Sequence, residues 1–159
     1  MLSWTPCAGS QTPWNTHLGS EEDYDADARA IEAGTKTTLA NMDKYYFKLT
    51  GAAKPYNYCI IPEVTVKADG STTVTKHYSM GRGTWEMAKV MPDGKTAFLG
   101  DDGTYTMLAM YVADNANDLS SGTLYAAKWN QTGSANGGEA TLNWIKLGKA
   151  TDAEIKTLA

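Results

Sequence analysis

Three short segments of the chain combine residue types that could bind metal ions or act on a substrate. In the first, Cys7 is followed within sixteen residues by the adjacent carboxylates of Glu21 and Glu22, and His17 lies between Cys7 and Glu21. A thiolate, an imidazole and carboxylates offer soft, borderline and hard ligands together, so this segment could hold a transition metal or a harder cation. The same pattern would arise if Cys7 were a small buried hydrophobic residue and the two glutamates capped a helix.

The second segment places Glu86 at the start of an otherwise apolar run, four residues after Arg82. A carboxylate in such a position is costly if it is buried without a partner or a metal ion. Arg82 could neutralise Glu86 or bind an oxyanion such as a phosphate group. An exposed ion pair between the two, which would contribute little energy, is the alternative.

The third segment is the pair Asp101 and Asp102, which ends a predicted strand in a glycine-containing turn. Paired aspartates in such a turn can bind Ca²⁺, and they are equally common in solvated turns that bind nothing. Their spacing is not that of an EF-hand loop. His17 and His77 are isolated in the sequence and do not have the spacing of zinc ligands.

The elements that would position these segments are mainly β-strands. Residues 1–20 are predicted to form a loop, and Ser20 with the acidic residues after it predicts a short helix over 21–33. Short β-like runs separated by turn residues predict strands at 58–67, 72–80, 85–91, 96–100, 106–113, 122–129 and 141–147. Pro62 indicates that its strand is an edge strand or contains a bulge, and residues 151–158 could form a terminal helix.

Composition places further limits on function. The chain has 159 residues, of which 42% are hydrophobic and 20% charged, and this is typical of a globular domain. Its formal net charge of −4, with no cluster of basic residues, argues against nucleic acid binding. No apolar stretch is long enough for a membrane span, and the first residues do not resemble a signal peptide. Cys7 and Cys59 could form a disulfide or remain free thiols.

The order of these segments resembles the PhoX family of bacterial alkaline phosphatases. Residues 7–22 match every fixed position of that family's stretch Cys-Ala-Gly-x-x-Thr-Pro-Trp-x-Thr-x-Leu-x-x-Glu-Glu. Further matches follow in order at 81–86, 92–94, 100–102 and 122–128. The chain departs from the family pattern at His17, Trp85 and Gly103, which predicts a divergent subgroup.

The resemblance implies a six-bladed β-propeller, usually exported to the periplasm or the extracellular space, that hydrolyses phosphate esters with an iron–calcium cluster. By this resemblance Cys7 would bind iron, joined by Glu21, Glu22 and Glu86. Asp101 and Asp102 would bind or support calcium, and Arg82 would contact the substrate. Such metals neutralise phosphoryl oxygens and generate or orient a nucleophile.

Family members contain several hundred residues, so the 159 residues here would supply about two blades. We therefore expect a single partial domain, with the motif loop and helix at 1–44 and a β-rich region at 45–159. Other copies of the chain, or the remainder of a longer propeller, would cover its exposed sheet edges. The expected function is that of a shortened relative or fragment of a metal-dependent phosphomonoesterase, incomplete in catalysis on its own. The alternative is a non-catalytic β-rich binding or scaffold module, with at most one Ca²⁺ site.

Overall fold

The computed structural model describes residues 3, 5–22, 28–48, 51 and 53–159, and these residues form a mainly β architecture. The strands are β1 (Ser10–Gln11), β2 (His17–Leu18), β3 (Ile61–Val66), β4 (Thr72–His77), β5 (Trp85–Val90), β6 (Thr96–Asp101), β7 (Leu108–Asn115), β8 (Asp118–Gly133) and β9 (Glu139–Thr151). The helices are α1 (Ala28–Glu32), α2 (Thr38–Tyr46) and α3 (Asp152–Lys156), and single 3-10 turns lie at Pro55–Asn57, Tyr78–Met80 and Ala135–Gly137.

The strands form two antiparallel sheets. One sheet has the order β1-β2-β3-β4 and the other the order β5-β6-β7-β8-β9, so every strand pairs with its neighbour in sequence. Consecutive antiparallel meanders of this size are the units from which β-propellers are built. The predicted fold class, mainly β with antiparallel sheets, is confirmed.

All seven predicted strands are present, with boundaries that differ by a few residues. The largest difference is in β8 and β9, which form one long hairpin of 16 and 13 residues. β1 and β2 lie in the segment that was predicted to be a loop, and each is only two residues long, too short to produce a detectable period.

β3, which contains Pro62, is an interior strand and neither the predicted edge strand nor a bulge, because it pairs with both β2 and β4. The proline is tolerated because β2 pairs with β3 only at Glu63 and Val64.

The helical predictions are only partly correct. Glu21 and Glu22 precede α1 in non-helical backbone, and residues 23–27 of the predicted helix lie outside the described part of the chain. The sequence did not predict α2. The terminal helix α3 is confirmed: the Thr151 side chain accepts a hydrogen bond from the Glu154 amide, and Glu154 bonds back to Thr151 in a capping box. Among the described residues, no helix has the length and apolar character needed to cross a membrane.

One apolar core connects the two sheets and positions the N-terminal segment. The buried members of this core include Leu18 of β2, Ile61 of β3, Trp85 of β5, Leu99 of β6 and Tyr111 of β7.

The Ser10 hydroxyl of β1 also donates a 2.6 Å hydrogen bond to the Ala88 carbonyl of β5. The N-terminal segment is thereby held against the second sheet, close to the start of β5.

Candidate functional site

Cys7 and Glu22 are brought together by two hydrogen bonds between the segments that carry them. The Glu22 amide donates to the Thr5 carbonyl at 3.1 Å, and the Ser20 hydroxyl donates to the Ala8 carbonyl at 3.0 Å. These bonds bracket Cys7, whose exposed thiol hydrogen-bonds to the Glu22 carboxylate. The cysteine and the second glutamate of the motif are therefore direct neighbours.

Two more of the predicted ligands approach the same thiol. The hydrogen bond to Glu22 raises the pKa of Cys7, the loss of hydration adds to it, and the negative charges of Glu22, Glu86 and Asp102 raise it further. Each carboxylate has this effect because it disfavours a second negative charge on the sulfur. Four predicted ligands from three separate segments thus lie in one region.

The pairing of β5 with β6 explains how Glu86 and Asp102 reach this region. Trp85 at the start of β5 is opposite Asp101 at the end of β6, so Glu86 and Asp102 lie at the same end of this strand pair. The register shifts between Trp85 and Met87, which makes Glu86 the additional residue of a β-bulge. Bulges redirect a side chain away from the regular alternation and are frequent beside active sites.

The two aspartates have different surroundings. The Asp101 carboxylate accepts a 2.8 Å hydrogen bond from the Thr84 amide and so fixes the approach to β5. Asp102 accepts a hydrogen bond from the Gly103 amide at 2.8 Å and also influences the Cys7 thiol. Asp102 is therefore the aspartate closer to the candidate site.

Glu21 lies apart from the thiol, in the protein interior. It is fully buried, its Oε1 accepts a 2.6 Å hydrogen bond from Lys76 Nζ, and its Oε2 accepts a 3.0 Å bond from the Ile60 amide. Lys76 is also buried and donates to the Asn57 carbonyl at 2.8 Å. The two adjacent glutamates of the motif thus have different environments, one in the core and one beside Cys7.

A second buried network holds the middle of the N-terminal motif. Glu63 Oε1 accepts hydrogen bonds from the Trp14 indole and the Thr16 hydroxyl, and Glu63 Oε2 lies 2.7 Å from His77 Nε2. The other ring nitrogen of His77 lies 3.0 Å from Asp152 of α3. Burial would lower the pKa of His77, but the two carboxylates outweigh it and raise that pKa to about 9. Burial opposes ionisation of Glu63 as well, yet hydrogen bonds from His77, Thr16 and Trp14 lower its pKa to about 2.

Sequence reasoning missed this network and the partner of Glu21. His77 was read as isolated because Glu63 and Asp152 lie 14 and 75 residues away from it in the chain. Lys76 lies 55 residues from Glu21. The polar Lys76-His77 pair at the end of a strand is the only sign of either contact in the sequence, and it does not identify the partners.

Arg82 contacts the segment at 56–59. Its Nε donates to the Tyr58 carbonyl at 3.1 Å, its Nη2 lies 3.7 Å from Cys59 Sγ, and its guanidinium is over the Tyr56 ring. Arg82 lines a largely apolar groove of about 420 Å³ beside α3. Cys7 and Cys59 are not joined in a disulfide, so that alternative is not observed.

The donor types near Cys7 fit the metals that the resemblance implies. A thiolate and a carboxylate suit iron, and carboxylate oxygens suit calcium. However, within the part of the chain that the structure describes, no three Cys, His, Asp or Glu side chains are close enough together to form a preformed metal site. The donors are gathered in one region but do not enclose an ion by themselves.

Comparisons with known proteins identify the family and the fold of the chain. Residues 3–158 match the model of the family described as alkaline phosphatase PhoX. The fold is similar to that of Pseudomonas fluorescens PhoX, solved in complex with vanadate, a transition state analogue, with a TM-score of 0.68 at 22% sequence identity. That match covers 91% of this chain and 30% of the solved chain, so the chain spans less than a third of the solved protein. No functionally curated protein matches the chain by sequence. Because the family model matches nearly the whole sequence, the chain belongs to the PhoX alkaline phosphatase family.

Proposed function

We propose that this chain supplies part of the metal centre of a PhoX-type phosphomonoesterase and is not catalytically complete on its own. The observation that carries the proposal is the convergence of Cys7, Glu22, Glu86 and Asp102 from three separate segments. Residues needed only for stability would not be expected to bring three negative charges within electrostatic range of an exposed thiol, since like charges repel one another.

In this proposal Cys7 and Glu22 bind iron, and Glu86 and Asp102 contribute oxygen ligands to calcium. The bound metals would neutralise the phosphoryl oxygens of a phosphate ester. Before Cys7 can bind, its thiol must lose a proton to the solvent, and the Glu22 carboxylate that accepts the S–H hydrogen bond can pass that proton on, since both ligands bind in the deprotonated form.

The remaining predicted residues have supporting roles. Glu21 fixes the backbone beside Glu22, and Asp101 fixes the turn that leads into β5. Arg82 would contact a phosphate group only if the substrate extended to the surface beside Tyr58.

The length of the match supports the proposal that catalysis needs further ligands. The chain corresponds to 30% of the solved PhoX chain, and the donors near Cys7 do not enclose an ion. We propose that the rest of a propeller, or further copies of this chain, completes the site, and that the assembly acts on phosphate esters in the periplasm or outside the cell.

Metal-dependent thermal unfolding tests this proposal. A metal present at about 100 times its Kd stabilises the folded state by about 2.7 kcal/mol. For a chain of this size that stabilisation raises Tm by about 5–10 °C. We expect ferric iron with calcium to produce such a rise in the wild type and a much smaller one in Cys7→Ser, Glu22→Gln and Glu86→Gln. Glu139→Gln, which removes an exposed carboxylate on β9, is the matched control and should respond like the wild type.

An equal response in all five proteins would contradict the assignment of these residues. Elemental analysis of the metal-loaded proteins should show less iron in Cys7→Ser and Glu22→Gln, and less calcium in Glu86→Gln, than in the wild type and Glu139→Gln.

A second candidate function is a non-catalytic module that binds calcium alone. It is favoured by the raised pKa of Cys7, because a protonated thiol is a poor metal ligand while the nearby carboxylates offer the oxygen atoms that calcium prefers. In that case calcium would stabilise the chain without iron, and Cys7→Ser would have no effect on the calcium response.

A further inference from the structure

We propose that Lys76, a residue outside the N-terminal motif, is a positioning residue for the Cys7–Glu22 pair and acts through Glu21. This inference rests on the proposed function, in which Cys7 and Glu22 bind iron. In this inference a buried lysine on β4 orients the Cys7–Glu22 pair without contacting it.

The ammonium group of Lys76 is bound directly to the motif segment. Its Nζ lies 2.6 Å from Glu21 Oε1, 2.8 Å from the Asn57 carbonyl and 4.9 Å from the centre of the Tyr58 ring. The side chains of Lys76 and Glu21 are 2% and 0% exposed. A buried lysine is costly unless it is paired, so this ion pair is held in one geometry.

The backbone transmits that geometry to Glu22. Residues 21 and 22 are consecutive and non-helical, so they share one stretch of backbone. Glu21 is buried and bonds to Lys76, and Glu22 bonds to Cys7. Any rotation of the segment that releases Glu21 from the core therefore also moves Glu22 relative to Cys7.

Two further contacts make the segment respond as a unit. The Ser20 hydroxyl and the Glu22 amide bind the carbonyls of Ala8 and Thr5 on either side of Cys7, and Glu21 Oε2 accepts from the Ile60 amide. Lys76 supplies the charge that keeps the Glu21 carboxylate in this buried position. Removing one member of a buried ion pair is strongly destabilising, so the loss of that charge favours movement of the Glu21 carboxylate towards water.

Substitutions can separate positioning from folding. Lys76→Met keeps the length of the side chain but removes the charge, so we expect Glu21 to leave the core and Glu22 to move away from Cys7. The double variant Glu21→Gln with Lys76→Met removes both charges and leaves a neutral amide that can still accept from the Ile60 amide. Replacing both members of a buried ion pair is far less disruptive than removing one.

The first readout is iron binding. Iron affinity is measured by competition with a chelator, together with the iron–thiolate absorption band, at a temperature at which circular dichroism shows each variant folded. We expect Lys76→Met to weaken iron binding at least about tenfold and the double variant to recover most of the loss. Tyr111→Phe is the control, because it removes a buried hydroxyl that bonds to Ser79 and Leu119, and it should leave the affinity unchanged.

The second readout needs no metal and separates a failure of this inference from a failure of the proposed function. Hydrogen exchange of the Glu22 amide, which donates to Thr5, should become at least about tenfold faster in Lys76→Met than in Tyr111→Phe. If the wild type binds no iron but this local acceleration is observed, the proposed function fails and the positioning role stands.

A Lys76→Met chain that binds iron as the wild type does, or one that does not fold at any temperature, would overturn the proposal. So would a double variant that recovers none of the affinity.

Discussion

His77 Nε2 lies 2.7 Å from Glu63 Oε2, and this contact joins the N-terminal motif to the C-terminal helix. Through its other oxygen Glu63 binds Trp14, and through its other nitrogen His77 binds Asp152 at the start of α3. Asp152 also accepts a 2.7 Å hydrogen bond from the Ser79 amide. The two ends of the described chain are thus held by one buried charge network.

The network makes stability depend on pH. Because the pKa of His77 is raised to about 9 in the folded state, its contribution is fully present below the unfolded pKa near 6.5 and is lost as pH rises through 9. Because the pKa of Glu63 is lowered to about 2, its contribution is present above the unfolded value near 4.5 and is lost as pH falls through 2. We expect the greatest stability between pH 4.5 and 6.5 in urea unfolding experiments.

His77→Gln tests which group is responsible for the alkaline loss. The variant should lose on the order of 2 kcal/mol at pH 6, and its stability should change little between pH 6.5 and 9. His17→Gln is the control and should retain the slope of the wild type, since His17 is exposed and is not part of the network. A wild-type stability that rises between pH 6.5 and 9 would contradict the charged state assigned to His77.

Trp14→Phe should lower the free energy of unfolding by about 1 kcal/mol, the usual cost of a lost hydrogen bond to a buried acceptor. The indole of Trp14 donates to Glu63 at 2.8 Å in a partly buried position. Trp129→Phe is the matched control: its indole also donates at 2.8 Å, to Gln131, but on the exposed surface. We expect the control to change stability by less than about 0.5 kcal/mol. Equal losses in the two variants would show that the motif tryptophan is not an anchor.

Gly122→Ala should destabilise the second sheet by about 2–3 kcal/mol. A Cβ atom at Gly122 would lie 2.5 Å from both Tyr111 Cζ and the Val112 carbonyl oxygen, and a backbone oxygen cannot move aside. Gly100→Ala on β6 is the control, because its Cβ would meet nothing within 4 Å. Thermal unfolding that shows no difference between the two variants would contradict the close approach at Gly122.

The end of the β8–β9 hairpin should exchange its amide hydrogens much faster than the centre of the sheet. β7 pairs with β8 only as far as Ala126, so residues 127–133 of β8 and 139–144 of β9 form a two-stranded extension. Its cross-strand pair Trp129 and Leu142 is 61% and 37% exposed. Two-stranded ribbons are marginally stable in water, so we expect exchange by local opening.

Exchange measured by NMR or mass spectrometry checks this, with β6 as the internal reference. Protection of the extension equal to that of β6 would show that something else covers it, such as a second copy of the chain.

Much of the sheet architecture could be predicted from the sequence because β-strands leave local signals. The turn at Pro92 and Gly94 depends on residues close together in the chain. The terminal helix was predictable for the same reason, since Thr151 and Glu154 form a local capping box. β1 and β2 could not be predicted because two-residue strands have no period, and their pairing is decided by distant residues.

The candidate site was only partly predictable because its contacts are not local. The order of the motifs identified Cys7 and Glu22, but nothing in two identical adjacent side chains shows which faces the core. The separation of Glu21 from Glu22 depends on Lys76, 55 residues from Glu21. The convergence of Glu86 and Asp102 depends on the pairing of β5 with β6 and on a bulge that no local signal marks.

X-ray absorption at the iron edge tests the central claim most directly, because it reports whether sulfur is bound to the metal. The protein is loaded with ferric iron and calcium, and the wild type is compared with Cys7→Ser and Cys59→Ser. We predict a sulfur ligand in the wild type and in Cys59→Ser, whose replaced thiol is buried beside Arg82, and no sulfur ligand in Cys7→Ser. A wild-type spectrum with no sulfur ligand, or a sulfur ligand that persists in Cys7→Ser, would contradict the assignment of Cys7 to the metal centre.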